Sequence, residues 1–216
     1  MGASRTRKNP ADDNTAFIQQ HLDVVASVSP LHAYVRDKGL FIESAKMTVA
    51  ELEFLNQRLV PAAKLMPQTR TFQPKQCFHN SQMVALAYEL LTLKQPNLEA
   101  EFKLEYFEGF YFMKNAYFFA IHHGWCMLNG KVLDFTLTQE QYQTGVVGEE
   151  NKVVGVIPNG DYYLGSALPI SDVRERMEAF SATNTLLDDH ERSFPYLQPY
   201  MLALRGQRRS RQTKGR

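Results

Sequence analysis

The stretch His122-His123-Gly124-Trp125-Cys126-Met127-Leu128-Asn129-Gly130-Lys131-Val132-Leu133-Asp134-Phe135-Thr136 decides the fold of this chain and the position of its chemistry. Asn129-Gly130 suits a two-residue type I′ turn, because both central positions need positive φ and Asn and Gly adopt it at least cost. The turn predicts a hairpin in which Leu128 faces Lys131, Trp125 faces Asp134 and His123 faces Thr136. His123 and Asp134 are then diagonal neighbours on one face, able to meet across roughly 7–8 Å between backbones. His122 and Cys126 point to the opposite face, as alternation along a strand requires.

Outward from the hairpin, residues 102–112, 116–128, 131–137, 153–157 and 162–164 read as strands, with Asn159-Gly160 as a second turn. The chain before them is helical. Phe17, Ile18, His21, Leu22, Val24, Val25 and Val28 have helical spacing, and Thr48-Val49-Ala50-Glu51 has the form of a capping box. The helix it opens is expected to stop before Pro61. A third helix is predicted from about Gln76 to Leu93, bracketed by Pro74 and Pro96, with Cys77 in its first turn. Ser171 is positioned to cap a short helix from Asp172 to about Phe180, and Pro195 and Pro199 break up the segment beyond that helix. Helices first and strands after predict an α+β class, with N-terminal helices packed on an antiparallel β-sheet.

The 24 Lys and Arg nearly balance 23 Asp and Glu, but the balance is uneven along the chain. Arg5, Arg7 and Lys8 precede the first acid, and Arg205, Arg208, Arg209, Arg211, Lys214 and Arg216 follow the last. Between them lies a body with 15 basic and 23 acidic residues. Residues 1–13 are therefore expected to be a flexible basic N-terminus and 205–216 a disordered basic C-terminal tail. Residues 14–204 form one predicted domain with its core in 72–178. The sequence has no apolar run of the roughly 20 residues a membrane span needs, and its first 14 residues lack the apolar stretch of a secretory signal. These features predict a chain without membrane contact that works in the cytoplasm of a cell or host, or in a virion.

Cys77 and Cys126 are the only cysteines, and neither has a Cys-x-x-Cys partner. Cys77 at a helix start meets unpaired N–H groups and the positive end of the helix dipole, which suit an anionic sulfur. With His123 as base and then acid, and Asp134 fixing the ring's tautomer, the set Cys77, His123, Asp134 has the parts of a nucleophilic triad. Oxyanion donors would be the Cys77 backbone N–H and the side-chain amide of Gln73 or Gln76. Asn80, one turn after Cys77, could orient a substrate amide, and Trp125 could shield the His123–Asp134 pair from water. Other roles are open to the same residues: Cys77 as a core thiol, His123 as a satisfied core histidine, Asp134 as a strand-end cap. His79, His122, His123 and Glu108 suggest a metal centre only weakly, since adjacent strand residues face opposite sides, and no metal or other cofactor is expected.

The ordered series Gln76-Cys77-Phe78-His79-Asn80, Tyr106-Phe107-Glu108-Gly109-Phe110, His123-Gly124-Trp125 and Asp134-Phe135-Thr136, with Tyr163-Leu164-Gly165 beyond, resembles the papain-like/transglutaminase-like cysteine enzymes. It is similar in particular to small bacterial and phage proteins with a Cys, Glu-Gly, His-x-Trp and Asp-x-Thr series. The resemblance implies that fold, with Cys77, His123 and Asp134 at the triad positions and a peptide, amide or isopeptide substrate that passes through an acyl-thioester. Unlike papain-like proteases, this chain has its cysteine well inside the sequence, a Gln immediately before it and no Cys-Trp pair. The alternative is a non-enzymatic phage or virion accessory protein. In that reading the basic segment Arg205–Arg216 makes a weak, salt-sensitive contact with nucleic acid, a ribosome or another polyanion.

Overall fold

The computed structural model describes residues 10–43, 45–66, 72–113, 120–138, 155–156, 162–180 and 184–214. Its centre is a five-stranded antiparallel sheet built from β1 (Leu40–Glu43), β2 (Leu104–Phe112), β3 (Ile121–Leu128), β4 (Lys131–Leu133) and β5 (Tyr162–Leu168), in the order β1-β5-β2-β3-β4. Around it lie α1 (Pro10–Val25), α2 (Pro30–Lys38), α3 (Val49–Phe54), α4 (Val60–Lys64), α5 (Cys77–Lys94), α6 (Leu98–Glu101), α7 (Ile170–Phe180) and α8 (Leu197–Lys214). The class is α+β.

The hairpin has the register that its turn dictates. Asn129 and Gly130 both have positive φ, 50° and 78°, and Leu128, Met127 and Cys126 pair with Lys131, Val132 and Leu133. The two faces of the sheet are unequal. Even-numbered residues of β2 and β3, among them Tyr106, Phe110, Cys126 and Leu128, join the large core shared with the helices. Odd-numbered ones build a smaller aromatic cluster of Phe107, Tyr111, Trp125 and Met127 with Val132 and Tyr163. Helix α5 lies in the large core, and residues 80–88 are buried all round, so one amphipathic stripe does not describe it. Two glycines set the spacing between strands. A Cβ on Gly109 would stand 2.1 Å from the Leu164 carbonyl oxygen, and one on Gly165 2.4 Å from the Trp125 ring.

Several sequence expectations change. Strand 131–137 ends at Leu133, because Asp134 turns the chain: its Oδ1 accepts the backbone N–H groups of Thr136 and Leu137, and residues 135–138 are helical. The helix capped by Thr48 does not stop before Pro61. Residues Leu55–Leu59 widen into a π-turn, in which the Val60 N–H reaches the Leu55 carbonyl, and the helix carries on through the proline. An i→i+5 turn of this kind absorbs the hydrogen bond a proline cannot make. Ser171 lies inside α7, not ahead of it, because the helix starts at Ile170 directly after Pro169. Pro199 falls in the first turn of α8, where its missing N–H costs nothing. That helix continues to Lys214, so most of the basic C-terminal segment is helical where composition predicts disorder. Helix α1 likewise begins at Pro10, inside the segment expected to be flexible. Strand β1 has no counterpart among the predicted strands, and β5 is longer than its predicted three residues, reaching Leu168. Residues 116–119 at the start of the predicted strand 116–128, most of strand 153–157 and the Asn159-Gly160 turn lie outside the described residues; Gly155 and Val156 are not in a strand.

Among the described residues no helix is long and apolar enough to cross a membrane.

Candidate active site

Helix α5 starts at Cys77 after a tight approach. Lys75, two residues earlier, sits in the left-handed region at φ 60°, a conformation uncommon for a residue with a Cβ. The approach is fixed by Asn80, whose side-chain oxygen accepts the Gln73 N–H at 3.1 Å and whose amide donates to the Gln73 carbonyl at 2.7 Å. The same amide donates to Thr136 Oγ1 at 2.7 Å, tying the start of α5 to the turn after Asp134. Asn80 is fully buried and all its polar atoms are engaged. It therefore ties the start of α5 to the turn after Asp134 and leaves no polar atom for a substrate amide, the role inferred from its position.

The sheet comes up to meet this helix start. Strand β4 pairs with β3 only at residues 126–128, so α5 can approach the part of β3 that β4 leaves uncovered. Gly124 permits the contact: a Cβ there would stand 2.9 Å from Phe78 Cδ1 and 3.4 Å from Phe78 Cα. Ser81 fastens the pair by donating to the Gly124 carbonyl at 2.8 Å.

His123 and Asp134 meet as the hairpin register requires, with Nε2 and Oδ2 2.5 Å apart and both residues buried. Asp134 also accepts from the Tyr163 hydroxyl at 3.1 Å and from two backbone N–H groups, so its orientation is set from three directions. With Nε2 committed to Asp134, Nδ1 is the ring atom left, and Cys77 lines the same cavity as His123. Burial by itself would lower the pKa of the ring; the Asp134 charge and hydrogen bond, with a lesser contribution from Cys77, overcome it and hold the ring up at about 10. Trp125 stacks beside His123 with centroids 6.4 Å apart, and it is wholly buried. It backs the ion pair and takes no part in the cavity wall.

These groups open into a cavity of about 560 Å³, where Cys77, His123 and Thr136 are joined by Gln76, Tyr111 and Asn184. Gln76 lines it; Gln73 does not, and its backbone serves the Asn80 clamp. His122 lines it too, although alternation turns it to the opposite face from His123, because the cavity lies at the end of β3, where both faces reach it. Burial first, then the neighbouring charges of His123 and His32, lower the His122 pKa to about 4, so this ring is neutral at physiological pH. Cys126 is fully buried and donates to the Ser81 carbonyl at 3.3 Å; burial and then the Asp134 charge push its thiol far up, leaving Cys77 as the accessible cysteine. Among the described residues no group of three or more His, Cys, Asp or Glu could hold a metal ion.

Comparison with protein-family models, with curated proteins and with solved structures returns no match.

Sequence reasoning misses the back of the site. Glu108, one of its weak metal candidates, is a fully buried carboxylate. It receives hydrogen bonds from the Tyr106 hydroxyl at 2.6 Å, the Thr185 hydroxyl at 2.7 Å and the backbone N–H groups of Leu186 and Leu187 at 2.7 and 3.0 Å. Burial raises its pKa against these donors, which favour the anion. Every partner donates, so the carboxylate clamps the segment after residue 183 to the centre of the sheet. Gln82, on α5, adds a hydrogen bond of 2.6 Å to the Asn184 carbonyl. The signal in the sequence is a charged residue amid Tyr106, Phe107 and Phe110, on a strand otherwise made for burial.

Proposed function

We propose that this protein is a thiol acyl-transfer enzyme, a hydrolase or acyltransferase of papain-like/transglutaminase-like fold acting on an amide, peptide or isopeptide bond. The observation that carries the reading is a single constellation: Asp134 bonded to Nε2 of the His123 ring, Nδ1 left over, and the Cys77 side chain in the wall of the same cavity as that ring. Acyl transfer by this set requires the sulfur to react as a thiolate, with the imidazolium that Asp134 holds available to return the proton.

In the first half-reaction the Cys77 sulfur attacks the acyl carbon and the carbonyl electrons move to oxygen. The oxygen returns them, the bond to the leaving amine breaks, and His123 Nδ1 gives that amine its proton, leaving an acyl-thioester on Cys77. In the second half-reaction Nδ1 takes a proton from water or from an acceptor amine. The nucleophile so activated attacks the thioester, and departure of the Cys77 sulfur restores the starting pair. Asp134 keeps the ring's orientation through both halves and stabilises its charged form without accepting the proton.

The test is trapping the first half-reaction. p-Nitrophenyl acetate should place one acetyl group on Cys77, seen by intact mass and peptide mapping and removed by hydroxylamine. Cys77→Ala and His123→Ala should both abolish it. Acetylation that persists in Cys77→Ala, or that spreads over lysines with none on Cys77, would contradict the reading.

A further inference from the structure

Asn184 stands in the cavity wall with one end of its side chain fixed and the other end available to a ligand. Its Oδ1 accepts the Thr185 N–H at 2.8 Å, which sets the plane of the amide and leaves Nδ2, with two N–H groups, as the remaining polar atom. The backbone on both sides is held as well. The Asn184 carbonyl receives Gln82 Nε2, from the same helix that begins with Cys77, and the next three residues are bonded to the buried Glu108 carboxylate. Asn184 itself is exposed to the cavity, while Thr185, Leu186 and Leu187 behind it are buried.

Gln76, the other side-chain amide in the wall, differs in this respect. It is exposed like Asn184, but its side chain makes no capping hydrogen bond to α5. A donor stabilises the negative oxygen of an acyl-transfer intermediate most when it is already oriented, because no reorganisation is then needed during reaction. By that criterion the fixed amide outranks the loose one.

Resting on the acyl-transfer reading above, we propose that Asn184 Nδ2 is the side-chain donor to the substrate's acyl carbonyl oxygen, and that Glu108 is the positioning residue that holds it there.

Two reagents that attack the same sulfur separate this role from a structural one. p-Nitrophenyl acetate acylates Cys77 through a tetrahedral oxyanion: the C–S bond forms, the C–O bond breaks and nitrophenolate leaves. Iodoacetamide alkylates it by displacing iodide, and no oxyanion forms at the reacting carbon. In the full-length chain, Asn184→Ala should slow acylation on the order of 100-fold, within the range for losing one such donor, and leave alkylation within about twofold of wild type. Asn184→Asp, which puts negative charge beside the oxyanion, should slow acylation at least as much, and Gln76→Ala should slow it far less. Glu108→Gln should reproduce the selective loss in the fraction that folds. Thr185→Val, which removes one hydroxyl donor to Glu108 together with the acceptor of the Asp188 N–H, provides a milder version should Glu108→Gln fail to fold. Equal slowing of both reagents by Asn184→Ala, or no slowing of either, overturns the assignment. A wild-type Cys77 that neither reagent modifies overturns the acyl-transfer reading instead.

Discussion

Replacing Asp134 with Asn removes the charge that holds the His123 ring protonated while keeping most of the shape. The new Oδ1 can still accept the Thr136 and Leu137 N–H groups, so the helical turn at 135–138 stays capped. The His123 ring, at about 10 in the folded protein against 6.5 for an unperturbed imidazole, then loses the interaction that outweighs its burial and falls to 6.5 or below. Because the folded-state value is the raised one, the wild-type pair contributes stability that is fully present below about pH 6.5 and is lost as pH rises toward about 10. At ~1.4 kcal/mol per pH unit, it is worth about 4 kcal/mol near pH 7, inside the ~3–5 kcal/mol range for breaking a buried pair. Urea unfolding of wild type and Asp134→Asn at several pH values between about 6.5 and 10 measures this directly, since titrations common to both cancel in the difference. The gap should start near 4 kcal/mol and close at about 1.4 kcal/mol per unit above pH 7. A gap that stays constant over the range, or a wild-type His123 ring that titrates near 6.5 by NMR, refutes the coupling.

Other outcomes depend on neighbouring groups. Gly124→Ala drives a methyl into Phe78 and the Tyr106 hydroxyl, at 2.9 and 3.2 Å, and should cost about 1–3 kcal/mol by urea unfolding while slowing Cys77 alkylation, because the start of α5 must move off β3. Glu108→Gln turns an amide toward groups that all donate, and should lower stability by roughly 2–3 kcal/mol in the same assay. Asn80→Ala releases both the Gln73 approach and the Thr136 hydroxyl; it should slow alkylation of Cys77 without altering the accessibility of Cys126. If the basic end of α8 docks on a polyanion, deleting residues 205–216 should flatten the dependence of log K on log salt by about 0.9 for each phosphate the tail neutralises, read by fluorescence titration with a duplex oligonucleotide. An unchanged slope assigns any such binding to the body.

The parts of the site that are legible in the sequence are those governed by local geometry. A two-residue Asn-Gly turn admits one register, and register alone brings His123, rather than His122, to Asp134. Cys77 at a helix start follows from Pro74 and the apolar run behind it. The α+β class follows from element order. The parts that escape depend on hydrogen bonds between residues far apart in sequence. Asp134 ends β4 by capping a turn; the Asp-x-Thr spacing carries that signal, but strand alternation through Val132, Asp134 and Thr136 competes with it. Asn80 reads as a residue that orients a substrate amide because helical spacing cannot reveal that Gln73 and Thr136 surround it. Glu108 and Asn184 are far apart along the chain, and nothing local links them; only the folded chain brings the segment after residue 183 beneath β2. The π-turn at Leu55–Leu59 is hidden for a different reason, since a proline in a helical pattern ordinarily signals an end.

The central claim is that Cys77 is activated by the His123–Asp134 pair. The most direct measurement is iodoacetamide labelling of the folded protein near neutral pH, with Cys77 and Cys126 followed separately by peptide mass analysis. The account predicts fast labelling of Cys77, none of the buried Cys126 until the protein unfolds, and loss of the Cys77 rate advantage in His123→Ala. Slow labelling of Cys77 in wild type, or a rate unchanged by His123→Ala in a folded variant, would contradict it.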